Sequence, residues 1–201
     1  MGRTSDARER IVRAAARLFL TRSYHTVGVD ELCDAAGVRK GSFYHYFPSK
    51  ADVAKAVIDL HAEAFWMRLE DDHQATPSER LHAAADAIGA IQMDFESHFG
   101  RAVGCPFGNL AAELATTDDD LRLHVAAVLA ELERRLAVVC REACEQGLLR
   151  PGVDPDRLAR ALVAQYQGMI LLAKVSAASA SDLPPALHQL ITAHLNDPVH
   201  A

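Results

Sequence analysis

The sequence predicts an all-helical protein of about nine helices, and three observations support this fold class. Helix start and stop signals recur throughout the 201 residues, strand signals are few, and half of the residues are hydrophobic, enough to bury a sizeable core. The pattern predicts an N-terminal domain of three helices over residues 1–50. A long fourth helix then leads into a larger helical domain, and the two together occupy residues 51–201.

Capping and turn residues bound the first four helices. Gly37 fits the left-handed turn that ends the second helix, Pro48 stops the third, and Ser49 caps the fourth. Gly28 gives the second helix no side-chain cap, so the capping either shifts to Thr26 or is weaker. The four helices are predicted over about 6–22, opened by Asp6 and Glu9, and over about 29–36, 40–47 and 50–72.

Proline and aspartate signals predict five further helices. Thr76-Pro77-Ser78-Glu79 is a capping box with proline at the first helical position. The three aspartates at 118–120 suit a helix N-terminus because its backbone amides carry partial positive charge. The five helices are predicted from Pro77 to about Phe99, from Pro106 for about ten residues, from the aspartates to Gly147, from Pro155 to about Ala178, and from Pro184 to near Asn196.

Charge is distributed unevenly along the chain. The net charge of −6 by itself argues against a nucleic-acid partner. Residues 1–50, however, hold nine Lys and Arg against five acidic residues, a net of +4, and the rest hold twelve against twenty-two, a net of −10. A polyanion would be attracted to the first part and repelled by the second. This predicts a small basic domain that reads nucleic acid, attached to an acidic body.

The termini and the cysteines predict a cytoplasmic protein. The first residues are charged and no run approaches 18 uncharged apolar residues, so neither a signal peptide nor a membrane span is expected. The four cysteines include no C-x-x-C pair, which favours reduced thiols. Cys140 and Cys144 lie four residues apart without a matching histidine pair. We interpret both as buried small hydrophobes and predict no metal and no cofactor.

Residues 37–50, GVRKGSFYHYFPSK, have the spacing of a helix-turn-helix. Phe43 and Phe47 lie four residues apart and anchor the third helix to the first two. The other faces of that helix can enter a DNA major groove, and Gly41 lets its backbone approach the duplex. Lys50 begins the fourth helix, where backbone amides also suit a phosphate. The other candidates are Lys40, Ser42, Tyr44, Tyr46, His45, which is equally consistent with a solvated residue, and Arg3 near the N-terminus.

The segment HTVGVDELCDAAGVRKGSFYHYFPSKADV resembles the DNA-binding segment of the TetR family of bacterial transcriptional repressors, in a match over about residues 8–56. It contains the pattern G-x-x-K-G-[ST]-[FL]-Y-x-[YH]-F-x-[ST]-K. The resemblance implies a nine-helix fold, a homodimer on near-palindromic double-stranded DNA, and a C-terminal ligand-binding domain whose occupancy changes the spacing of the two DNA-binding domains. It also implies DNA contacts at Lys40, Gly41, Ser42, Tyr44 and Tyr46, with a phosphate contact at Lys50.

The larger domain carries no motif that identifies its ligand. Its aromatic residues and methionines make an apolar pocket plausible, although each is also consistent with plain core. The polar candidates for that pocket are Gln92, His98, His124 and Gln165. The apolar candidates are Trp66, Phe95, Phe99, Phe107, Tyr166 and Met169.

Cys105 is the candidate sensor. It directly precedes Pro106 at the start of a predicted helix, whose dipole favours a thiolate. Lys174 is the only charged residue between Arg160 and Asp182, and we hypothesise that it approaches Cys105, so that an electrophile or oxidant can modify the sulfur. The alternative is that Cys105 only packs and that Lys174 extends to solvent. The stretch around Cys105 and the later lysine are also similar to a TetR branch that responds to reactive electrophiles.

These patterns predict a homodimeric repressor, nucleoid-associated when bound to DNA, that a small molecule or an electrophile releases from its operator. The last two helices have surplus apolar faces, which imply a dimer partner. One alternative is a constitutive DNA-binding protein. The other is an enzyme with Cys105 as nucleophile, but no base accompanies that cysteine in the sequence, and we predict no enzymatic activity.

Overall fold

The computed structural model describes residues 3–69 and 74–196, with side chains from residue 6 onward. These residues form nine α-helices and one short 3-10 helix, Ala180–Asp182, so the predicted all-helical fold class is confirmed. The helices are α1 (Arg3–Thr21), α2 (Val29–Ala36), α3 (Lys40–Tyr46), α4 (Lys50–Arg68), α5 (Pro77–Phe99), α6 (Pro106–Leu114), α7 (Asp119–Glu145), α8 (Pro155–Ser176) and α9 (Leu183–His194).

Two helix ends differ from the predicted bounds. α1 begins at Arg3, three residues before the predicted start. Asp6 therefore does not open the helix: it lies inside it and pairs with Arg10 one turn later, at 3.6 Å. α4 ends at Arg68, short of the predicted end at residue 72; residues 70–73 lie outside the described range. The other helices begin and end within two residues of their predicted bounds.

The capping of α2 and α4 follows local chemistry. The N-terminus of α2 at Gly28 has no side-chain cap, and Thr26 does not supply one, because its hydroxyl donates to the carbonyl of Ser23. Of the two predicted alternatives, the second is therefore correct: the capping of α2 is weaker and does not shift to Thr26. Ser49 caps α4 as predicted: its Oγ accepts from the backbone N–H of Asp52 at 3.2 Å and donates to the Asp52 carboxylate at 2.7 Å.

The chain divides into two compact units. The first comprises the chain up to Ala64 together with Pro106–Val128, and the second comprises Phe65–Cys105 and the chain from Leu129 onward. α4 and α7 each contribute to both units, and α6 belongs to the first. The domain boundary at residue 50 stays a prediction.

The first unit is built around α1, which packs on α2, α3 and α6. Its apolar stripe recurs every three or four residues, as an amphipathic helix requires. The core side chains, all buried, are Ile11, Ala15, Phe19, Leu32, Phe43, Phe47 and Ile58.

The second unit is built around the contact of α5 with α9, which α8 joins. Gly89 allows the closest approach, since a Cβ atom there would lie 2.2 Å from Cγ of Pro184. The Glu96 carboxylate on α5 accepts hydrogen bonds from Ser179 Oγ at 3.1 Å and from the backbone N–H of Ala180 at 2.7 Å. These bonds attach the 3-10 helix to α5. No helix within the described ranges is long and apolar enough to cross a lipid bilayer.

Candidate nucleic-acid interface and effector site

The recognition helix α3 is held by its aromatic face. Phe43 is 0% exposed and Phe47 is 3% exposed, with ring centroids 6.2 Å apart. Gly37 ends α2 with φ of 62°, and its N–H donates to the carbonyl of Asp34, so the chain reverses within a few residues before α3 begins. The remaining side of α3 is turned outward: Lys40, Gly41, Ser42, Tyr44 and His45 are exposed, and Tyr46 is half-buried.

Lys40 already has an anionic partner in this face. Its Nζ lies 2.6 Å from Oδ1 of Asp30 on α2, and both side chains are more than half exposed. The hydrogen bond to Asp30 raises the pKa of Lys40. A phosphate would therefore compete with Asp30 for this ammonium group. Sequence reasoning did not identify Asp30, although the sequence itself places this acidic residue in the first turn of the predicted second helix.

Lys50 has a structural role in addition to its predicted phosphate contact. Its Nζ donates to the carbonyls of Tyr24 at 3.0 Å and Val27 at 3.1 Å, and lies 4.1 Å from the centroid of the Tyr24 ring. Burial lowers the pKa of Lys50. Since an ammonium group has three donors, two hold the loop between α1 and α2 and one remains for another acceptor.

Glu113 of α6 binds the loop that follows α1. Its carboxylate accepts from Ser23 Oγ at 2.6 Å and from the backbone N–H of His25 at 3.3 Å, and the His25 ring lies 3.4 Å from the Glu113 carbonyl. These partners are separated by 88 to 90 residues along the chain. No local signal in the sequence indicates that contact. Arg3 begins α1, but its side chain lies outside the described part of the chain.

In the second unit, Cys105 is the centre of a buried polar cluster. The residue directly precedes α6, as predicted, and is 2% exposed. Its Sγ accepts from Tyr166 Oη at 3.5 Å and from Gln167 Nε2 at 3.4 Å. Burial raises the pKa of Tyr166 well above its usual value, so the phenol stays protonated and can donate. Sequence reasoning assigned Tyr166 only to an apolar pocket and missed Gln167.

The contacts described for Cys105 do not include Lys174, so the hypothesis that Lys174 approaches Cys105 stays a prediction. The residues of α8 that meet the sulfur are Tyr166 and Gln167, whereas Lys174 is exposed and lies seven residues beyond Gln167. At 1.5 Å per residue, that spacing is about 10 Å along the helix, two turns away. The apolar side chains of Leu171, Leu172 and Val175, which surround Lys174 in the sequence, are exposed as well.

The apolar pocket candidates lie in different surroundings, and their assignment to one pocket stays a prediction. Met169 lines a cavity of about 180 Å³ in the second unit, together with Gln92, which we call the Gln92 cavity. Trp66 instead packs under the Arg135 guanidinium at 4.4 Å, and Phe95 pairs with Phe99, centroids 6.4 Å apart. Two further candidates belong to the first unit: Phe107, which is buried, and His124, which pairs with Asp59. Among the polar candidates in the second unit, His98 and Gln165 are exposed.

Cys140 and Cys144 differ from each other. Cys140 is 0% exposed, and burial raises the pKa of its thiol to about 12, as expected of an inert core residue. Cys144 is exposed, which corrects its assignment as a buried hydrophobe; it lies in the last turn of α7, just before the helix ends at Glu145. Over residues 3–69 and 74–196, no group of three or more His, Cys, Asp or Glu is arranged to hold a metal ion.

Both parts of the chain match known sequence families. Residues 11–57 match the family described as "Bacterial regulatory proteins, tetR family", and residues 77–182 match "Tetracyclin repressor-like, C-terminal domain". The chain is 37% identical over 175 residues to the transcriptional regulator AcuR of Cereibacter sphaeroides, covering 85% of this chain and 78% of that protein.

Two further proteins are similar to this chain, one in sequence and in structure and the other in structure. The HTH-type transcriptional repressor NemR of Escherichia coli K12 is 29% identical over 175 residues, which are 85% of each chain. The crystal structure of reduced E. coli NemR superposes with a TM-score of 0.76 and 24% identity, over 96% of this chain and 98% of that one. A regulatory protein TetR from Rhodobacter sphaeroides superposes with a TM-score of 0.80 at 33% identity, over 94% and 99% of the two chains.

Proposed function

Because the chain belongs to the TetR family of DNA-binding transcriptional regulators, we propose that it is a homodimeric repressor that leaves its operator when a small molecule binds it or when Cys105 is modified. Repression is the activity that the name of NemR states for that relative. As a bacterial DNA-binding regulator, the protein would act in the cytoplasm.

The outward face of α3 carries the DNA-binding part of the proposal. A helix of this kind enters the major groove, which is about 12 Å wide, with its first residues against base edges and phosphates. Lys40 lies in the first turn, Tyr44 is 53% exposed, and the buried Phe43 fixes the orientation of both. In this proposal Lys40 and Tyr44 contact phosphates or bases, and Gly41 permits close approach of the backbone.

Exposed apolar side chains on α8 support a dimer. Leu171, Leu172 and Val175 are 59%, 67% and 76% exposed in the single chain, and they lie within four residues on one helix. Exposed apolar side chains gathered in this way mark an association surface. We propose that a second copy covers them, which would place two recognition helices on a near-palindromic operator. Leu172→Asp should convert a dimer to a monomer in sedimentation analysis.

Modification of Cys105 would act through its confinement. An α,β-unsaturated carbonyl adds across its C=C bond: a C–S bond forms to Cys105, and the thiol proton ends on the adjacent carbon. The sulfur is 2% exposed, and Tyr166 and Gln167 lie within 3.5 Å, so an adduct requires α8 or the chain at 105–106 to move. At Cys105 the chain passes from the second unit into α6, whose Glu113 binds Ser23.

An enzymatic use of Cys105 has little support. The two hydrogen-bond partners of its sulfur are a phenol and an amide, and neither removes a proton from a thiol at neutral pH. The matched relatives described above are regulators of transcription.

Operator binding tests the first part of the proposal. Fluorescence anisotropy with the promoter fragment of the protein's own gene should show tight, salt-dependent binding. Lys40→Glu should weaken it by about 100-fold, because a phosphate contact is replaced by repulsion in each of two subunits. Arg122→Glu, the same charge change on exposed α7, is the matched control. Equal loss in both variants, or no binding by the wild type at low salt, would contradict the proposal.

Thiol alkylation tests the second part. Cys144 is exposed and therefore accessible to an alkylating reagent, so a Cys144→Ser background is required. N-ethylmaleimide should release the operator from this background and leave it bound in the Cys105→Ser, Cys144→Ser double variant. Mass spectrometry of digested protein identifies the alkylated residue. Equal release from both proteins would exclude Cys105 as the sensor.

A further inference from the structure

A second cavity in the second unit lies where the end of α4, the start of α5 and the middle of α7 meet. Its volume is about 490 Å³, and we call it the Arg135 cavity after one of its lining residues. No described lining residue belongs to α8 or α9, so the cavity is separate from the α8 surface proposed for the dimer partner. Its aliphatic lining includes Ala83, Ala84 and Ala87 of α5 and Leu132, Leu136 and Val139 of α7.

The charged side chains around the Arg135 cavity are mostly cationic. Among the described lining residues, four are arginines and one is a glutamate: Arg68, Arg80, Arg134, Arg135 and Glu79. The Glu79 carboxylate already accepts from the backbone N–H of Thr76 at 2.8 Å. The carboxylates that pair with the arginines are not among the described lining residues; they are Asp94, Glu131 and Glu142. The lining therefore favours an anion over a cation.

Arg135 has a guanidinium group that is already held in place. The group lies over the Trp66 ring, 4.4 Å from its centroid, and its Nε donates to Oε1 of Glu131 at 2.8 Å. Its two terminal amino groups have no hydrogen-bond partner in the described part of the chain, and the side chain is 43% exposed. A guanidinium group can bind a carboxylate through two parallel hydrogen bonds, and a group fixed beforehand loses little entropy on binding. Arg135 is therefore the candidate anchor for a carboxylate.

The size of the cavity sets the size of its occupant. Engineered cavities of about 150 Å³ in other proteins accommodate benzene, so a volume of about 490 Å³ corresponds to roughly 20 heavy atoms. An alkyl chain of ten or so carbons fits within this limit and would bury its apolar surface against the alanine, leucine and valine side chains. The cavity thus combines an apolar interior with a guanidinium group that reaches solvent.

We propose that the Arg135 cavity binds an amphipathic carboxylate, whose alkyl part lies against α5 and α7 and whose carboxylate accepts hydrogen bonds from the terminal amino groups of Arg135. The inference rests on the proposed function, because such a molecule is the small-molecule effector of this regulator. It narrows the effector to medium-chain carboxylic acids in their ionised form.

The packing around the cavity connects it to the Cys105 cluster. Leu132 and Leu136 line the Arg135 cavity and also a smaller neighbouring cavity that Tyr166 lines. The Tyr166 hydroxyl donates to the Cys105 sulfur at 3.5 Å. An occupant that displaces the two leucines therefore changes the packing beside this hydrogen bond. In this proposal the carboxylate and a reagent at Cys105 act on the same part of the core.

Matched probes test the ligand class on the full-length protein without DNA. Decanoate carries the carboxylate, decan-1-ol has the same alkyl length without a charge, and decyltrimethylammonium has the opposite charge. In titration calorimetry, decanoate should bind at least about tenfold more tightly than either analogue, because hydrogen bonds between ionised groups are the stronger ones. Equal binding of decanoate and decan-1-ol, preference for the cation, or no binding of decanoate would overturn the inference.

Variants assign the site. Arg135→Gln should weaken decanoate binding by about tenfold and abolish its advantage over decan-1-ol, since the charged fork is removed. Ala87→Phe should weaken the binding of both probes by filling the cavity. Arg122→Gln, the same change at another partly exposed arginine of α7, is the matched control. Thermal unfolding checks that each variant is folded. Undiminished preference for decanoate in Arg135→Gln would overturn the assignment even if Ala87→Phe failed to fold.

Operator binding, measured separately by anisotropy, distinguishes this inference from the proposed function. If decanoate binds in an Arg135-dependent way and the operator stays bound at saturation, the cavity assignment holds and its role as the effector site fails. If N-ethylmaleimide releases the operator while decanoate does not bind, the repressor proposal holds and the cavity inference is wrong.

Discussion

The two units of the chain place their functional side chains in opposite environments. In the first unit, the candidates on α3 are mostly exposed, and the same short helix buries Phe43 and Phe47 on its other side. In the second unit, Cys105 and Gln92 are 2% and 4% exposed, and they meet side chains from α8 inside the core.

This difference determines how function and stability are related in each unit. On α3, Phe43 anchors the helix and its neighbour Tyr44 is a proposed DNA contact, so the two tasks are divided among side chains. In the Cys105 cluster the same side chains pack the interior and form the candidate sensor. A duplex can only be contacted from the surface, whereas small-molecule sites are concave and mostly apolar, and this is the physical reason for the contrast.

Adjacent substitutions on α3 provide the sharpest test of this division. Phe43→Ala should lower the free energy of unfolding by about 3–5 kcal/mol, because it removes a fully buried ring. Tyr44→Ala, at a 53% exposed position, should change it by less than about 0.5 kcal/mol while weakening operator binding. Urea denaturation and anisotropy measure the two quantities. Similar losses of stability in both variants would contradict this division of tasks between anchoring and DNA-contacting side chains.

Glycine substitutions extend the comparison to both units. Gly89→Ala should lower the free energy of unfolding by about 1–3 kcal/mol, since the new Cβ would lie 2.2 Å from Cγ of Pro184. Gly41→Ala in α3 meets no atom within 4 Å and should add up to about 1 kcal/mol of stability while weakening DNA binding. Denaturation with binding titrations checks both; a stabilised Gly89→Ala protein would contradict the packing.

A smaller effect is expected at the ion pair of α2 and α3. Asp30→Asn frees Lys40 from a competitor 2.6 Å away and should raise operator affinity by about threefold per subunit at low salt, a small effect because an exposed ion pair is weak. Asp34→Asn makes the same charge change on the same helix. Anisotropy titrations compare the two; an equal gain would show that net charge, and not the Lys40 pair, is responsible.

The smallest effect concerns pH in the second unit. Hydrogen bonds from Arg134 and Arg135 lower the pKa of Glu131 from 4.5 to about 2. The stabilisation is therefore complete above about pH 5 and is lost as the pH falls towards 2. Because the three side chains are partly exposed, the expected loss is only about 0.5 kcal/mol. The melting temperatures of Glu131→Gln and wild type should converge near pH 2. The melting temperature of Glu133→Gln should follow that of wild type over the whole pH range.

Much of the first unit could be predicted from the sequence because its signals are local. Gly37, Pro48 and Ser49 act on residues within one turn, and the predicted bounds of α2 and α3 agree with the structure to within one residue. The exposure of Lys40, Ser42 and Tyr44 follows from the four-residue spacing of the two buried phenylalanines. Lys50 was less accessible to such reasoning, since its carbonyl partners lie 23 and 26 residues earlier in the chain.

In the second unit, local signals did not suffice to predict the residues around Cys105. The sequence predicted apolar helices and placed Cys105 directly before α6, and it left two alternatives for Lys174, an approach to Cys105 or an extension to solvent. Lys174 is exposed, and the sequence did not identify the two residues that contact the sulfur. Cys105 meets Tyr166 and Gln167 across 61 and 62 residues, and such contacts depend on how helices pack and not on any local pattern.

The sequence by itself determined the helical class, the family and the outward face of α3, because helix periodicity and capping are read from neighbouring residues. Tertiary structure alone decided which side chains surround Cys105, that Gln92 is buried beside Tyr166, and that Asp30 pairs with Lys40. Those outcomes depend on the packing of segments distant in the chain, and the free energy of that packing is shared among many residues.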